Sequence, residues 1–160
     1  MRMLTAAAGV PASAPGAGGL PAPESLLRAA PGRGPRRGRI LIMDDHQMVR
    51  ETMRRQLVVL GFEVAVAAEG REAVALHEQA RRDGTPFDAV VLDLRVDGGW
   101  GGEETLAELR RLSPGVKAMI CSAALAAAPD AYLRKGFRAV LTKPYSIAEL
   151  QQKLETTLFA

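Results

Sequence analysis

Aromatic side chains are scarce in this 160-residue chain, at 4% of positions, so its core has to be aliphatic. There is one cysteine, Cys121, which excludes an internal disulfide and a zinc site built on cysteines. A lone thiol fits a reducing compartment, and the cytoplasm is the expected location. No uninterrupted apolar run approaches the roughly 18–20 residues that a membrane-spanning helix needs. No self-similar period of 20–50 residues is present, so a solenoid or propeller is excluded. A basic excess is also missing where it would matter. The formal net charge is +3, but residues 1–38 hold five arginines against Glu24, a net +4, which leaves −1 for residues 39–160. That balance argues against a nucleic-acid-binding domain.

What residues 1–38 do contain is Ala, Gly and Pro, at 22 positions. Such a segment cannot bury enough apolar surface to offset its chain entropy, and it is expected to be a disordered tail or linker. Ser25–Ala30 has the makings of one short helical turn. Ala12-Ser13-Ala14 behind Arg2 has the form of a leader-cleavage site, but the stretch between is short and broken by Gly9 and Pro11. Arg33, Arg36 and Arg37 read as a solvated charge run.

From Arg39 onward the pattern changes, and residues 39–160 are expected to form one domain. Ile40-Leu41-Ile42-Met43 is a short apolar run ending in acids, as a buried strand would be. Residues 46–60 place Met48, Val49, Met53, Leu57 and Leu60 at helical spacing, with Gly61 as a stop. The same alternation continues: strand Phe62–Ala67, helix Gly70–Arg82, strand Phe87–Leu92 and helix Glu103–Leu112, closed by Ser113-Pro114-Gly115. Strand Val116–Cys121, helix Ala126–Lys135, strand Arg138–Leu141 and helix Ser146–Leu158 complete it. Ser146 and Glu149 have capping-box spacing. Five β/α alternations with short connections predict a parallel sheet with helices on both faces, the doubly wound α/β class.

In such sheets ligands bind beyond the carboxyl ends of the strands. Asp44 and Asp45 follow the first predicted strand, Asp93 the third, Ser122 the fourth and Lys143 the fifth. Three carboxylates on one edge repel unless a cation intervenes. An oxygen-only donor set suits magnesium, which also seeks phosphate oxygens. A carboxylate there can act as a nucleophile and form an aspartyl phosphate. Phosphoryl transfer then needs little beyond positioning and charge neutralisation. The Lys143 ammonium can pair with one phosphoryl oxygen and the Ser122 hydroxyl can donate to another. Each element alone is a common strand-end feature; their joint order is what is specific.

That order resembles the receiver domain of bacterial two-component signalling. The resemblance spans residues 39–158 and rests on Ile40-Leu41-Ile42-Met43-Asp44-Asp45, Val90-Val91-Leu92-Asp93-Leu94, Cys121-Ser122-Ala123 and Leu141-Thr142-Lys143-Pro144-Tyr145. It implies a five-stranded flavodoxin-like sheet of order 2-1-3-4-5. It implies that Asp93 accepts a phosphoryl group from a phosphohistidine on a sensor histidine kinase or a histidine phosphotransfer protein. Asp44 and Asp45 match the magnesium-binding pair, with Asp45 the direct ligand, and the backbone carbonyl of Arg95 matches a further metal oxygen. Ser122 and Lys143 match the hydroxyl and the lysine that engage the phosphoryl group, and a cis bond is implied at Pro144. Catalysis is then limited to self-phosphorylation and slow autodephosphorylation.

The chain departs from the family in carrying Val96-Asp97 where Met-Pro is frequent, and Val140 where many members carry a switching aromatic. The glycine-rich loop around Trp100, with Gly136-Phe137 and Lys143-Pro144-Tyr145, looks most like receivers at the C-termini of hybrid sensor kinases. The chain ends near Ala160, so output is expected through protein contact rather than a DNA-binding module, with a downstream reader on the face of helix four, strand five and helix five. A small phosphatase of the haloacid dehalogenase type is the alternative, but it needs Asp-x-Asp where this chain has Asp44-x-His46. A receiver-like module that no longer phosphorylates is the third possibility, against which the five site residues weigh.

The remaining candidates have plainer expectations. The glycines near Trp100 lack the Lys-Ser/Thr of a nucleotide-binding loop. His46 is expected to open a helix with its ring in solvent, and His77 to lie on a helix surface. Cys121, Met43, Met48 and Met53 are expected to fill the core.

Overall fold

The computed structural model describes residues 37–124 and 128–160. The tail through Arg36, including the turn expected at Ser25–Ala30, lies outside them. Among the described residues five strands alternate with five helices. They are β1 (Arg39–Met43), α1 (Gln47–Val59), β2 (Glu63–Ala67), α2 (Gly70–Arg82), β3 (Ala89–Asp93), α3 (Gly102–Leu112), β4 (Ala118–Ser122), α4 (Pro129–Arg134), β5 (Ala139–Thr142) and α5 (Ile147–Phe159). The sheet order is β2-β1-β3-β4-β5 and every pairing is parallel.

The run Ile40–Met43 is apolar without alternation because both faces of β1 are covered. Ile40 and Ile42 join Met53 and Leu57 of α1 and Leu150, Leu154 and Leu158 of α5 in one core. Leu41 and Met43 join Ala73 of α2 and Leu106 and Leu109 of α3 in the other. Each fully buried branched side chain contributes about 1.5–3 kcal/mol. Two aliphatic layers therefore clamp the sheet, and the strand ends lie where they do because those layers fix the register.

Two expectations are overturned. His77 is not on a helix surface: it is 4% exposed. It belongs to the buried stripe Gly70, Ala73, His77, Ala80 of α2, with Nε2 3.1 Å from the Ser113 hydroxyl and its ring stacked on Phe87. Met48 does not fill the core: it is 78% exposed, because it stands on the side of α1 turned away from Met53 and Leu57, the buried residues of that helix.

Smaller shifts have local causes. β3 begins at Ala89, since the Asp88 carboxylate accepts from the Arg39 amide at 2.7 Å and turns the chain there. α4 is shorter than expected, starting at Pro129 with its ring at the first helical position; residues 125–127 of the expected helix are outside the described residues. Ser146 caps α5 in a capping box with Glu149, as the spacing predicts. Arg37 and Gly38, assigned to the tail, are tied to the domain: the Arg37 amide donates to Gly61 and the Glu63 amide to Gly38.

Candidate functional site

All five predicted side chains emerge at the carboxyl edge of the sheet. Asp44 directly follows β1 and is 3% exposed. Its Oδ1 accepts from the His46 amide at 2.9 Å, which tightens the turn into α1. Asp45 points to the neighbouring loop, where its Oδ2 accepts from the Asp97 amide at 3.2 Å. Asp93 ends β3 and is buried; its Oδ1 accepts from the Leu94 amide at 3.0 Å. Ser122 ends β4, one residue past Cys121, which pairs with Asp93 in register. Its hydroxyl accepts from the Ala124 amide at 3.3 Å.

Lys143 joins the two halves of this edge. Its amide donates to the Ser122 carbonyl at 3.1 Å. Its ammonium donates to Asp44 Oδ2 at 2.5 Å and to Asp93 Oδ1 at 3.4 Å. Two carboxylates 49 positions apart thus share one cation. The Lys143–Pro144 peptide bond is cis, the isomer that the family resemblance implies.

The protonation equilibria follow from this crowding. Burial pushes the Asp93 carboxyl above the ordinary carboxylate range; the Lys143 charge pulls it back and the Asp44 charge pushes it further up. Burial disfavours the Lys143 charge, yet the hydrogen bond to Asp44 and the two carboxylate charges outweigh that and hold it above the usual lysine value. Burial also opposes the Asp45 charge, but the Asp97 amide and the His46 ring beside it hold the carboxyl below its ordinary value. Cys121 lies under the site with its thiol pushed up to about 12 by burial, so it is a packing residue there and not a nucleophile.

The donor set fits a hard divalent cation. Asp44 and Asp45 each place a carboxylate oxygen, and His46 a ring nitrogen, within 4.8 Å of one another, and Asp93 is linked to Asp44 through the lysine those two share. Arg95 sits two residues past Asp93 on an exposed stretch of the loop.

Three contacts were not legible in advance. Arg50 of α1 donates from Nη1 to the Asp44 carbonyl at 2.6 Å; its position one helical turn after His46 was the available signal. Gly101 and Gly102 let α3 start against the site: a Cβ on Gly102 would lie 2.8 Å from the Asp93 carbonyl oxygen. Trp100 is held by its neighbours. It lies under the Arg71 guanidinium, 5.1 Å from its ring, and its carbonyl accepts from the Gly70 amide, so the loop after β3 is fastened to the start of α2.

Comparison with known proteins places this geometry. Residues 40–155 match the response regulator receiver domain. A response regulator receiver protein of Anaeromyxobacter sp. (strain Fw109-5) is 40% identical over 113 residues, covering 70% of this chain and 45% of that protein. The transcriptional regulatory protein TcrA of Mycobacterium tuberculosis is 36% identical over 141 residues, 83% of this chain and 53% of its own. The chain therefore spans about half the length of the curated relatives it matches. Among solved structures, the receiver domain of the sensor histidine kinase PA1611 from Pseudomonas aeruginosa superposes with a TM-score of 0.66 at 26% identity, over 77% of this chain and 98% of that one, and it has magnesium in its active-site cleft. A chain of the CheX-CheY-BeF3-Mg complex from Borrelia burgdorferi shares the fold, with a TM-score of 0.69 at 22% identity over 77% of this chain and 90% of its own. The family found is not that of the phosphatase alternative. With the sheet order, the strand-end acids and these matches together, the chain belongs to the response regulator receiver domain family of two-component signalling.

Proposed function

We propose that this chain is a working phosphoacceptor and that Asp93 takes the phosphoryl group. The observation that carries this is the Lys143 ammonium held between Asp44 and Asp93: a cation already aimed at the carboxylate oxygen that would carry the charge. In the step itself, an Asp93 Oδ attacks phosphorus while the bond from phosphorus to the donor's imidazole nitrogen breaks, and the imidazole leaves neutral after taking up a proton. Lys143 shifts from its carboxylates to a phosphoryl oxygen. The Ser122 hydroxyl, at the end of the adjacent strand, turns to donate to another. Asp44, Asp45, Asp93 and the carbonyl of Arg95 are the residues that would hold Mg2+, whose chemistry is to neutralise the charge gathered on the transferred group. The Asp97 amide holds the Asp45 carboxylate and the Arg50 guanidinium holds the Asp44 main chain.

The donor is a sensor histidine kinase or a histidine phosphotransfer protein, and the output is a protein reader. Its place is a groove of about 710 Å3 on β5, between α4 and α5, lined by Pro129, Leu133, Val140, Thr142, Glu149 and Lys153. Thr142 adjoins Lys143, so a phosphoryl-driven shift of the lysine is transmitted to that groove by the backbone. Val140 is buried in its floor, so the coupling runs without a switching aromatic on β5. Residues 1–36 act as a linker, and the domain works in the cytoplasm. No helix of the described residues is long and apolar enough to cross a membrane.

Asp93→Asn is the direct test. Incubated with acetyl phosphate or a phosphorylated histidine donor and Mg2+, the variant should show no acid-stable, hydroxylamine-sensitive label, while the parent chain is labelled. Undiminished labelling of the variant would place the phosphoryl group elsewhere.

A further inference from the structure

The chain has two histidines. His77 is shut between α2 and α3, but His46 stands at the mouth of the acidic cleft. It is the N-cap residue of α1, yet its side chain makes no capping hydrogen bond, so the ring is not used by the helix. The ring is 72% exposed, and its Nδ1 lies 2.8 Å from Asp45 Oδ1 and 3.6 Å from Asp44 Oδ1. Neighbouring ligands of a six-coordinate ion at roughly 2.1 Å stand about 3 Å apart, and the Nδ1–Asp45 spacing is of that size. The position is fixed from both sides: the His46 amide is bound to the Asp44 carboxylate, and its carbonyl accepts from the amides of Val49 and Arg50.

We propose that His46 supplies Nδ1 as a nitrogen ligand to the ion held by Asp44 and Asp45, and that it makes this cleft selective for imidazole-accepting divalent ions. The inference rests on the acidic pair being the metal site. Magnesium takes oxygen donors and surrenders its water reluctantly, so an imidazole adds little to its binding. Cobalt, nickel and zinc bind imidazole well, and a mixed oxygen–nitrogen set raises their affinity over that of magnesium. The cleft would then respond to which metal is available, beyond whether magnesium is present. The competing account is a plain ion pair between a protonated His46 and Asp45, in which the ring never meets the ion.

The experiment uses the full chain, free of any affinity tag and labelled with 15N-histidine. Two imidazoles give two sets of ring signals, so assignment by His46→Asn is direct. Adding Zn2+ should move the His46 Nδ1 resonance to a coordinated position and leave His77 in place, whereas Mg2+ should leave both rings nearly unchanged. In calorimetric titrations His46→Asn should lose at least about tenfold in Zn2+ affinity and change Mg2+ affinity by less than about twofold, since magnesium draws on oxygen donors. Asparagine is a good N-cap, so the variant should fold, as circular dichroism will show. Zinc binding that leaves the His46 nitrogen unmoved, or a variant with unchanged zinc affinity, would overturn the proposal alone. If Asp45→Asn binds Mg2+ as well as the parent chain does, the acidic pair is not the metal site and both readings fall.

Discussion

α3 and α4 flank the same sheet edge, yet they are held in different ways. α3 buries Gly102, Thr105, Leu106 and Leu109, and its first turn presses on the Asp93 backbone. α4 has six residues and buries none of them. Its half-buried Tyr132 packs edge-on against Phe137 at 6.4 Å, and its C-terminal end is tethered by polar contacts. Arg110 of α3 donates to the carbonyls of Lys135 and Gly136 at 3.0 and 2.9 Å, and Lys135 pairs with Glu103 at 2.7 Å. Apolar burial is lost only when the element comes away, whereas exposed polar contacts exchange with water at little cost. The helix beside Asp93 is thus fixed, and the helix beside the proposed reader groove is free to be re-set by a small bias.

The contrast is sharpest in a matched pair of truncations. Leu109→Ala, at a fully buried position of α3, is expected to cost about 2–5 kcal/mol, from lost transfer energy and the cavity left behind. Leu133→Ala, on an exposed position of α4, should stay within about 0.5 kcal/mol. Urea denaturation of both variants measures this. Equal losses would show α4 to be as firmly seated as α3 and would break the comparison.

The same division marks how far the sequence could be read. β1 was legible because four consecutive apolar residues admit few places other than a strand covered on both faces, and α2 was legible because its stripe recurs at 3.6 residues between Glu69 and Asp83. The strand-end acids could be grouped before any coordinates, since a doubly wound sheet delivers every carboxyl end to one edge. What residue type cannot report is the tertiary neighbour. His77 looks solvent-facing by residue type, although its phase puts it in the buried stripe with Gly70, Ala73 and Ala80; that Ser113 and Phe87 close over it is a tertiary fact. Met48 looks like core filler by residue type, but around the helix it stands about 140° from Met53 and about 180° from Leu57, so its phase turns it to solvent. The bridge from Lys143 to two acids, and the approach of His46 to Asp45, depend on rotamers and a turn, and no spacing rule encodes them.

A smaller effect tests the tethers. Arg110→Ala removes two hydrogen bonds from an exposed guanidinium, and the loss should be about 1 kcal/mol or less. Its signature is local: amide exchange should quicken across residues 129–137 and stay unchanged in α3. If exchange quickens equally in both helices, the tether belongs to the global fold and α4 has no independent freedom.

The smallest expected effect lies on the firm side, at its one buried imidazole. Burial lowers the His77 pKa below its ordinary 6.5; the Arg81 charge lowers it further and Glu78 partly opposes that. The other groups against the ring, Ser113 and Phe87, carry no charge. The folded chain therefore binds this proton less readily than the unfolded chain does. The stability that this gives is fully present above the unfolded pKa, near 6.5, and is lost progressively as pH falls from there toward the lower folded value. His77→Gln keeps a hydrogen-bonding partner for Ser113 and cannot titrate. The parent chain should thus lose more of its urea midpoint than the variant between pH 7.5 and 5.5, so that any stability gap in its favour narrows with acid. Parallel pH profiles for the two proteins would mean that the ring is charged or hydrated in the folded state, and that the α2–α3 seam is looser than its burial indicates.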